Sequence, residues 1–556
     1  MRGSRYWDDK FFGRKPILDL LKKRLLGLKE GYRQNIAILG GHYLGKTTIL
    51  NKFLADLDDK DIVEVYLDLG YKDFRQFFLK YAGTILHNYS RGEHLPLHDD
   101  INLLLASVKS RLPQTSKVIQ KIKADVEANR ISDACQSLMK LPEIFTFEAN
   151  KFCLFIFDEF HKMEDLGVEN IFQQFGTSLM TQRRCLYVVT SSCAEKAKAV
   201  LSEKLSLLFG NFEIVSIGPF DLKTSQEFIA SRLEDIQIGV PLKDFLIDFT
   251  GGHPLYLQQI LKEIRYLAAV HKQQEVFAPI LVQAIENTIF DPWGVLSRHF
   301  ELLVDNLSSG KGNNAASPIL IALANGKLKL SDLTKSLAVK QTLISQKAAR
   351  LLAEGVIAKN GNFYYLEDKL LRYWLKYVLE RRLTAVSISA ERQRKAFAED
   401  LEKLIETFLT NAQKDLASRI IELLRCFDNE SVSVNGRKYK LPTFNKITTV
   451  KFDAEEDGRL DAIKAFSAQG QWFVLFKKDK FAESDVSAFV AQTRKLPNKP
   501  SGCIIISLSD LDENTRVKAL QERMWIWNEN ELNALLNFFD QPYIVIDDDR
   551  RSAKAV

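Results

Sequence analysis

The segment Gly40-Gly41-His42-Tyr43-Leu44-Gly45-Lys46-Thr47 constrains this chain more than any other, because it fits G-x-x-x-x-G-K-[ST] at every fixed position. A short apolar run, Asn35 to Leu39, precedes it and a run of helical period, TTILNKFLADL from Thr47, follows it. A glycine-rich turn between strand and helix aims backbone N–H groups at a phosphate, and the helix adds its N-terminal dipole. In that setting Gly40 to Thr48 is a nucleotide-binding loop. Lys46 is expected to reach the β- and γ-phosphates, and the Thr47 hydroxyl to ligate Mg²⁺. A chance match has no reason to fall between a strand and a helix.

The matching acidic element is Phe155-Ile156-Phe157-Asp158-Glu159. An apolar strand delivers Asp158 to the sheet edge as a second Mg²⁺ ligand, and Glu159 is placed to polarise the attacking water. Lys46 and Glu159 are thus the expected catalytic residues. A later apolar strand ends in Thr190-Ser191-Ser192. Thr190 and Ser191 are expected there as sensors of the γ-phosphate or the lytic water, with a helix N-cap as the alternative.

A chain of 556 residues exceeds one ordinary core and predicts three or four domains. Strand patterns at Asn35–Leu39, Ile62–Leu69, Phe152–Phe157, Cys185–Val189 and Phe212–Ile217 alternate with helices. They predict a three-layer α/β core with a parallel sheet over about 1–220, carrying a helical insertion over about 74–147. Helices continue to Leu307, and the polar run Ser308 to Ser317 reads as a linker. From Pro318 to Tyr365 come three helical patterns and a hairpin signal at Asn360-Gly361, which is the winged-helix order. Its third helix, Thr342 to Glu354, carries Lys347 and Arg350, with Lys340 before it and Lys359 in the wing. That is a thin basic set for reading duplex DNA. Helices then run from Glu367 to Phe427, and a second, smaller α/β region ends the chain.

The net charge of +6 is mild for this length, so nucleic-acid binding has to be argued locally. The six cysteines show no CxxC pair, which favours reduced core thiols and a cytoplasmic setting over a metal or disulfide role. No apolar run approaches a membrane span, and MRGSRYWDDK lacks the apolar stretch of a signal peptide.

With these motifs, the N-terminal 370 residues resemble the archaeal-type branch of the STAND ATPases, relatives of the AAA+ machines. Phe11-Phe12-Gly13-Arg14 is similar to the family's F-x-G-R box, Phe157-Asp158-Glu159-Phe160 to its Walker B ending, and Gly251-Gly252-His253-Pro254-Leu255-Tyr256-Leu257 to its GGHPLYL segment. The resemblance implies a helical lid over 221–307 and places Gly13, Arg14, His253 and Pro254 beside the nucleotide. It implies a winged helix over 317–380, clamping the ATPase core or reading DNA, and a helical connector over 381–430. One departure stands out. Where the family often has Gly-Arg before its fifth strand, this chain has Gly210-Asn211. Arg183 or Arg184 of a neighbouring subunit is the substitute to consider, and turnover without a partner should be slow.

Residues 431–556 resemble a restriction-endonuclease-like domain. Asp461 and Lys478 align with its site, but the Glu position falls on Phe476, which cannot bind Mg²⁺, so the domain is expected to be a degenerate nuclease. Glu455, Glu456 and Asp457 nearby read as a solvated acidic turn. The resemblance therefore implies an ATP- and Mg²⁺-dependent switch, in homo-oligomeric form or alone, gating engagement of a partner protein or duplex DNA. The alternatives are an ATP-dependent DNA-processing protein and a non-hydrolysing nucleotide-binding adaptor. No membrane role is expected.

Overall fold

The computed structural model describes residues 11–70, 73–205, 212–308, 316–384, 390–434, 437–452, 460–477, 481–495, 499–509 and 511–544. Its contacts fall into two units. The first is Met1–Thr224 with His253–Leu255 and Ala353–Gly355; the second is Ser225–Gly252, Tyr256–Leu352 and Val356–Val556.

The first unit opens with α1 (Lys15–Lys29), β1 (Asn35–Leu39), α2 (Lys46–Ala55) and β2 (Ile62–Asp68). Four helices follow before the next strand, α3 (Phe74–Gly92), α4 (Ile101–Val108), α5 (Pro113–Glu127) and α6 (Ile131–Ala149). Then come β3 (Phe152–Asp158), α7 (Ile171–Thr181), β4 (Cys185–Ser191), α8 (Ala194–Ala199) and β5 (Phe212–Ser216). The five strands form one parallel sheet in the order β2-β3-β4-β1-β5.

Burial separates the central strands from the edges. Strands β1 and β4 are buried at every position and β3 at all but its first, as a strand covered on both faces must be, and these three are central. The two strands with partly exposed positions, β2 and β5, are the edges. One sheet face, with Ile36, Ile156 and Val188, packs on the leucine stripe of α1 (Leu18, Leu21, Leu25, Leu28) and on Leu50 and Phe53 of α2. The other, with Phe155, Phe157 and Tyr187, packs on Phe77, Tyr81, Phe145 and Phe175 from α3, α6 and α7. Tyr81 and Tyr187 stack on Phe155 with ring centroids 5.4 and 5.0 Å away. Cys153 and Cys185 are paired in register within this buried sheet.

After α9 (Leu222–Leu233) the second unit is helical, with β6 (Gln237–Ile238), α10 (Val240–Thr250), α11 (Pro254–His271), β7 (Glu275–Val276), α12 (Ala278–Phe290) and α13 (Val295–Ser308). The parallel pair β6/β7 is too short to be visible as a sequence pattern. Residues 309–315, most of the expected linker, lie outside the described residues, and Ser308 and Ser317 belong to helices. Next come α14 (Ala316–Ala324), α15 (Leu330–Leu337), α16 (Gln341–Ala353) and the hairpin β8 (Ala358–Asn360) with β9 (Phe363–Tyr365). The turn differs from expectation by one residue. Asn360 pairs with Phe363, so Gly361 and Asn362 turn the chain and Asn360 stays in the strand.

Asn360 has a different task. Its buried amide donates to the Ser433 carbonyl at 2.9 Å and accepts from the Ser433 N–H, which joins the hairpin to a second one. That partner is β10 (Ser431–Val434) with β11 (Arg437–Lys440), reached through α17 (Lys369–Trp374), α18 (Glu380–Thr384), α19 (Ala390–Gln413) and α20 (Leu416–Arg425). The unit ends in a mixed sheet of order β12 (Phe444–Phe452), β13 (Leu460–Ser467), β14 (Gly470–Lys477), β15 (Gly502–Ser507) and β16 (Trp525–Trp527). The first three strands are antiparallel and the last two continue parallel. Helices α21 (Glu483–Thr493), α22 (Glu513–Gln521) and α23 (Glu529–Phe538) complete it. Among the described residues no helix is long and apolar enough to cross a membrane.

Candidate functional site

Because β4 lies between β1 and β3, its end at Thr190 and Ser191 separates the glycine loop after β1 from the acid pair at the end of β3. In a parallel sheet the carboxyl ends of the strands form the crevice where ligands bind. The loop is tightly built. A Cβ on Gly40 would stand 2.1 Å from the Ile217 carbonyl oxygen, and Gly45 enters α2 at φ 95°, a left-handed value that suits glycine. Lys46 is 5% exposed, and its ammonium donates to the carbonyl oxygens of Gly40 at 2.9 Å and Gly41 at 2.8 Å. Burial pushes its pKa below the usual lysine value, with Glu159 and Asp158 opposing the shift. The loop is thus closed around its own lysine, and a bound phosphate would exchange those carbonyl contacts for stronger charge-assisted ones.

Asp158 is the hub of the site. Its Oδ2 accepts from Thr47 Oγ1 at 2.9 Å and from the Tyr66 hydroxyl at 2.7 Å, while Oδ1 accepts from Thr190 Oγ1. Burial, then the neighbouring Asp158 charge, pushes the Tyr66 phenol far above its usual range, so it remains a donor. Hydroxyl and carboxylate oxygens side by side form a hard donor set of the kind Mg²⁺ takes, and Thr47 and Asp158 are the residues that would hold it.

Glu159 follows the strand in a left-handed conformation, φ 56°. For a residue with a Cβ this costs roughly 1–2 kcal/mol, a strain found at functional turns. The turn carries the carboxylate to the end of β4, where Oε2 accepts from the Ser192 N–H at 2.9 Å and from its hydroxyl at 2.7 Å. The His161 Nδ1 lies 3.4 Å from the same oxygen and 2.8 Å from Ser191 Oγ. Both neighbours attract a proton on Nδ1, and burial pushes the imidazole pKa down, so the ring is a neutral donor there.

The expected site residues divide accordingly. Lys46, Thr47, Asp158 and Glu159 come together with the loop. Thr190 and Ser191 sit at the end of β4 as strand residues, and their hydroxyls are engaged by Asp158 and by His161. The helix cap offered as their alternative falls at Cys193 instead. Tyr43 is exposed at φ 56°, and the Leu44 side chain is buried. Thr48 is half-buried in the first turn of α2.

Gly13 and Arg14 both adopt left-handed conformations before α1, and the Arg14 guanidinium donates to the Gly218 carbonyl and lies 5.1 Å over the Phe220 ring. The box therefore seats on the segment that also touches Gly40. The His253 Nε2 is 3.2 Å from the His42 carbonyl oxygen, and Pro254 begins α11. Ser192 belongs to the hydroxyl run singled out at the end of β4, but Tyr66 and His161 carry no signal of their own in the sequence. Each reaches the site through strand order, for which the local sequence carries no signal.

Arg184 begins next to β4 at its amino end, donating to Asn150 Oδ1 at 2.8 Å and lying 5.9 Å from the Phe152 ring. A seven-residue strand spans roughly 20 Å, so within the chain Arg183 and Arg184 stand at the sheet edge opposite to Asp158. Gly210 and Asn211 lie outside the described residues.

In the C-terminal sheet Asp461 is exposed on β13, 3.7 Å from Lys451 of β12. Phe476, at the expected Glu position, packs against the core of that sheet. Lys478, Glu455, Glu456 and Asp457 lie outside the described residues. Lys347 and Arg350 lie on α16.

The parallel sheet, its flanking helices and the glycine loop constitute a P-loop NTPase fold. No family model matches the sequence, and no curated protein matches it. Among solved structures, the Walker-type ATPase PABY2304 of Pyrococcus abyssi is 16% identical, with 66% of this chain covering 96% of that one at a TM-score of 0.44. The Aeropyrum pernix ORC2 protein, solved as ADPNP–ADP complexes, is 12% identical over 72% of this chain and 97% of its own, TM-score 0.42. The Thermotoga maritima RuvB Holliday junction branch migration motor is 16% identical over 66% and 96%, TM-score 0.33. Likenesses this distant carry no weight for function, which rests on the site's own geometry.

Proposed function

We propose that this chain is a Mg²⁺-dependent ATPase that acts as a nucleotide-controlled switch on a partner. The observation that carries the reading is the convergence of Lys46, Thr47, Asp158 and Glu159 on one glycine loop, with Thr47 and Asp158 2.9 Å apart. Lys46 would leave the carbonyls of Gly40 and Gly41 for phosphate oxygens, and Thr47 would turn its hydroxyl oxygen outward from Asp158. When bound, Mg²⁺ neutralises charge on the phosphates. Glu159, once released from Ser192, is the group that orients water and accepts its proton.

Switching requires ATP to favour one conformation by a few kcal/mol. The turn Gly251–Pro254 is suited to sense it, since His253 lies against the loop at His42. Residues 221–307 then serve as the lid, 317–380 as a winged-helix clamp, and 431–556 as a degenerate nuclease-like module that engages protein or duplex DNA.

Two variants test the reading. Lys46→Ala should abolish binding of a fluorescent ATP analogue. Glu159→Gln should keep binding but lower phosphate release by at least about a hundredfold, the low end of a general base's contribution. Unchanged phosphate release in Glu159→Gln would sink the hydrolytic reading and leave an adaptor. Turnover raised by duplex DNA would favour a DNA-directed role over a protein-directed one.

A further inference from the structure

Tyr66 lies on edge strand β2, in register with Ile156, two residues before the pair Asp68 and Asp158. Side chains alternate along a strand, so Tyr66 and Asp158 share a sheet face, and an aromatic side chain reaches a diagonal neighbour. Its hydroxyl ends 2.7 Å from Asp158 Oδ2. We propose that Tyr66 is a positioning residue for Mg²⁺, holding the Asp158 carboxylate in the orientation that receives the ion; this rests on the nucleotide reading above.

The three donors on Asp158 have different freedom. Thr190 is held on Oδ1 and also accepts from the Glu159 N–H at 3.3 Å, so it is tied to the strand ends. Thr47 bonds Oδ2 at 2.9 Å, but its oxygen is itself an expected ligand and has to face the ion. Tyr66 can keep its bond throughout. A carboxylate oxygen has two lone-pair directions, so Oδ2 can accept from Tyr66 with one and meet the cation with the other. Hydrogen bonds that orient a metal ligand from behind are typically worth 10–100-fold in metal affinity.

The alternative is that Tyr66 merely fills space. The ring is half-buried, packs against the cluster around Ile156, and borders a cleft of about 580 Å³ with Asp68, His87 and Asn88. Removing the hydroxyl leaves that packing intact, which separates the two roles.

The experiment measures Mg²⁺ titrations of nucleotide binding in full-length wild type, Tyr66→Phe and Tyr66→Leu, together with binding in EDTA and Mn²⁺ affinity by electron paramagnetic resonance with ADP present. Both variants should need at least about tenfold more Mg²⁺ or Mn²⁺, while metal-free nucleotide affinity stays at the wild-type value. Titrations that superimpose on wild type overturn the proposal. So does a metal-free loss equal to the loss with metal, which would mark a structural role. Wild type that binds no nucleotide overturns the parent reading, a result distinct from either.

Discussion

Thr47 and Asp158, 111 residues apart in the chain, are joined by a 2.9 Å hydrogen bond across the end of the central sheet. Thr47 is placed by the first turn of α2 and Asp158 by the last position of β3, so the bond links the glycine loop to the acidic strand end. In the P-loop reading the cation takes the place of this bond. The two residues then act as one unit, and their losses should not add. Thr47→Ala and Asp158→Ala should each weaken Mg²⁺-dependent nucleotide binding at least about tenfold, and the double variant little beyond the worse single one. Calorimetric titration of the four proteins checks this, and strictly additive losses would show that the residues do not share an ion.

The two glycines that open the loop should respond very differently to alanine. At Gly40 a Cβ would meet the Ile217 carbonyl oxygen at 2.1 Å, a backbone atom with no rotamer to yield. At Gly41 the nearest atom is Leu44 Cδ1 at 3.4 Å, an ordinary contact. Gly40→Ala should therefore cost more than the usual 1–3 kcal/mol of overpacking and abolish nucleotide binding. Gly41→Ala should lower the melting temperature much less. Equal melting temperatures for the two variants would contradict the close approach of the loop to Ile217.

The contrast between Gly40 and its contact shows what the sequence makes legible. The loop, the acid pair and the five strands lie in contiguous segments whose period and glycine spacing are local properties, so they are readable directly. Tyr66 and His161 are not, because nothing in β2 or the turn after β3 states which strand neighbours which. Periodicity gives the face of Tyr66 but not that Asp158 lies diagonally across from it. The hairpin turn falls one residue beyond the Asn360-Gly361 signal for a related reason. Asn-Gly is the commonest hairpin turn pair, but here Asn360 is used to bond the Ser433 backbone. Gly361 is needed because it adopts φ 58° and a Cβ there would meet the Ser431 carbonyl oxygen at 2.0 Å.

His161 should make the first unit acid-sensitive in a defined window. Burial lowers its folded-state pKa below the ordinary 6.5, with the Glu159 charge opposing. The unfolded chain then takes up the proton first as the pH falls, so stability declines from about pH 6.5 down to the folded pKa and is not lost further below it. The slope from one such group is at most about 1.4 kcal/mol per pH unit. His161→Gln should flatten this decline in urea melts between pH 7.5 and 5.5. An unchanged slope would mean that the ring is not held neutral.

The second unit contains a buried ion pair whose two members should be unequal to lose. Lys369 Nζ lies 2.8 Å from Asp248 Oδ2, with side chains 12% and 9% exposed. Burial pushes the Asp248 carboxyl up, and Lys369 is the main group drawing it back. Lys369→Met leaves a carboxylate buried without its partner, a change that typically costs 3–5 kcal/mol. Adding Asp248→Asn removes the stranded charge and should recover a large part of that loss, since a buried pair itself adds little net stability. Raising the folded pKa also fixes the pH sign. In Lys369→Met the Asp248 carboxyl loses its opposing cation, its pKa rises further above the unfolded value, and stability should improve as the pH falls toward that unfolded value. Urea melts of the single and double variants at pH 7.5 and 5 test this. A Lys369→Met protein that shows no relative gain in acid, and is not rescued by Asp248→Asn, would show that the pair is a surface contact of no energetic consequence.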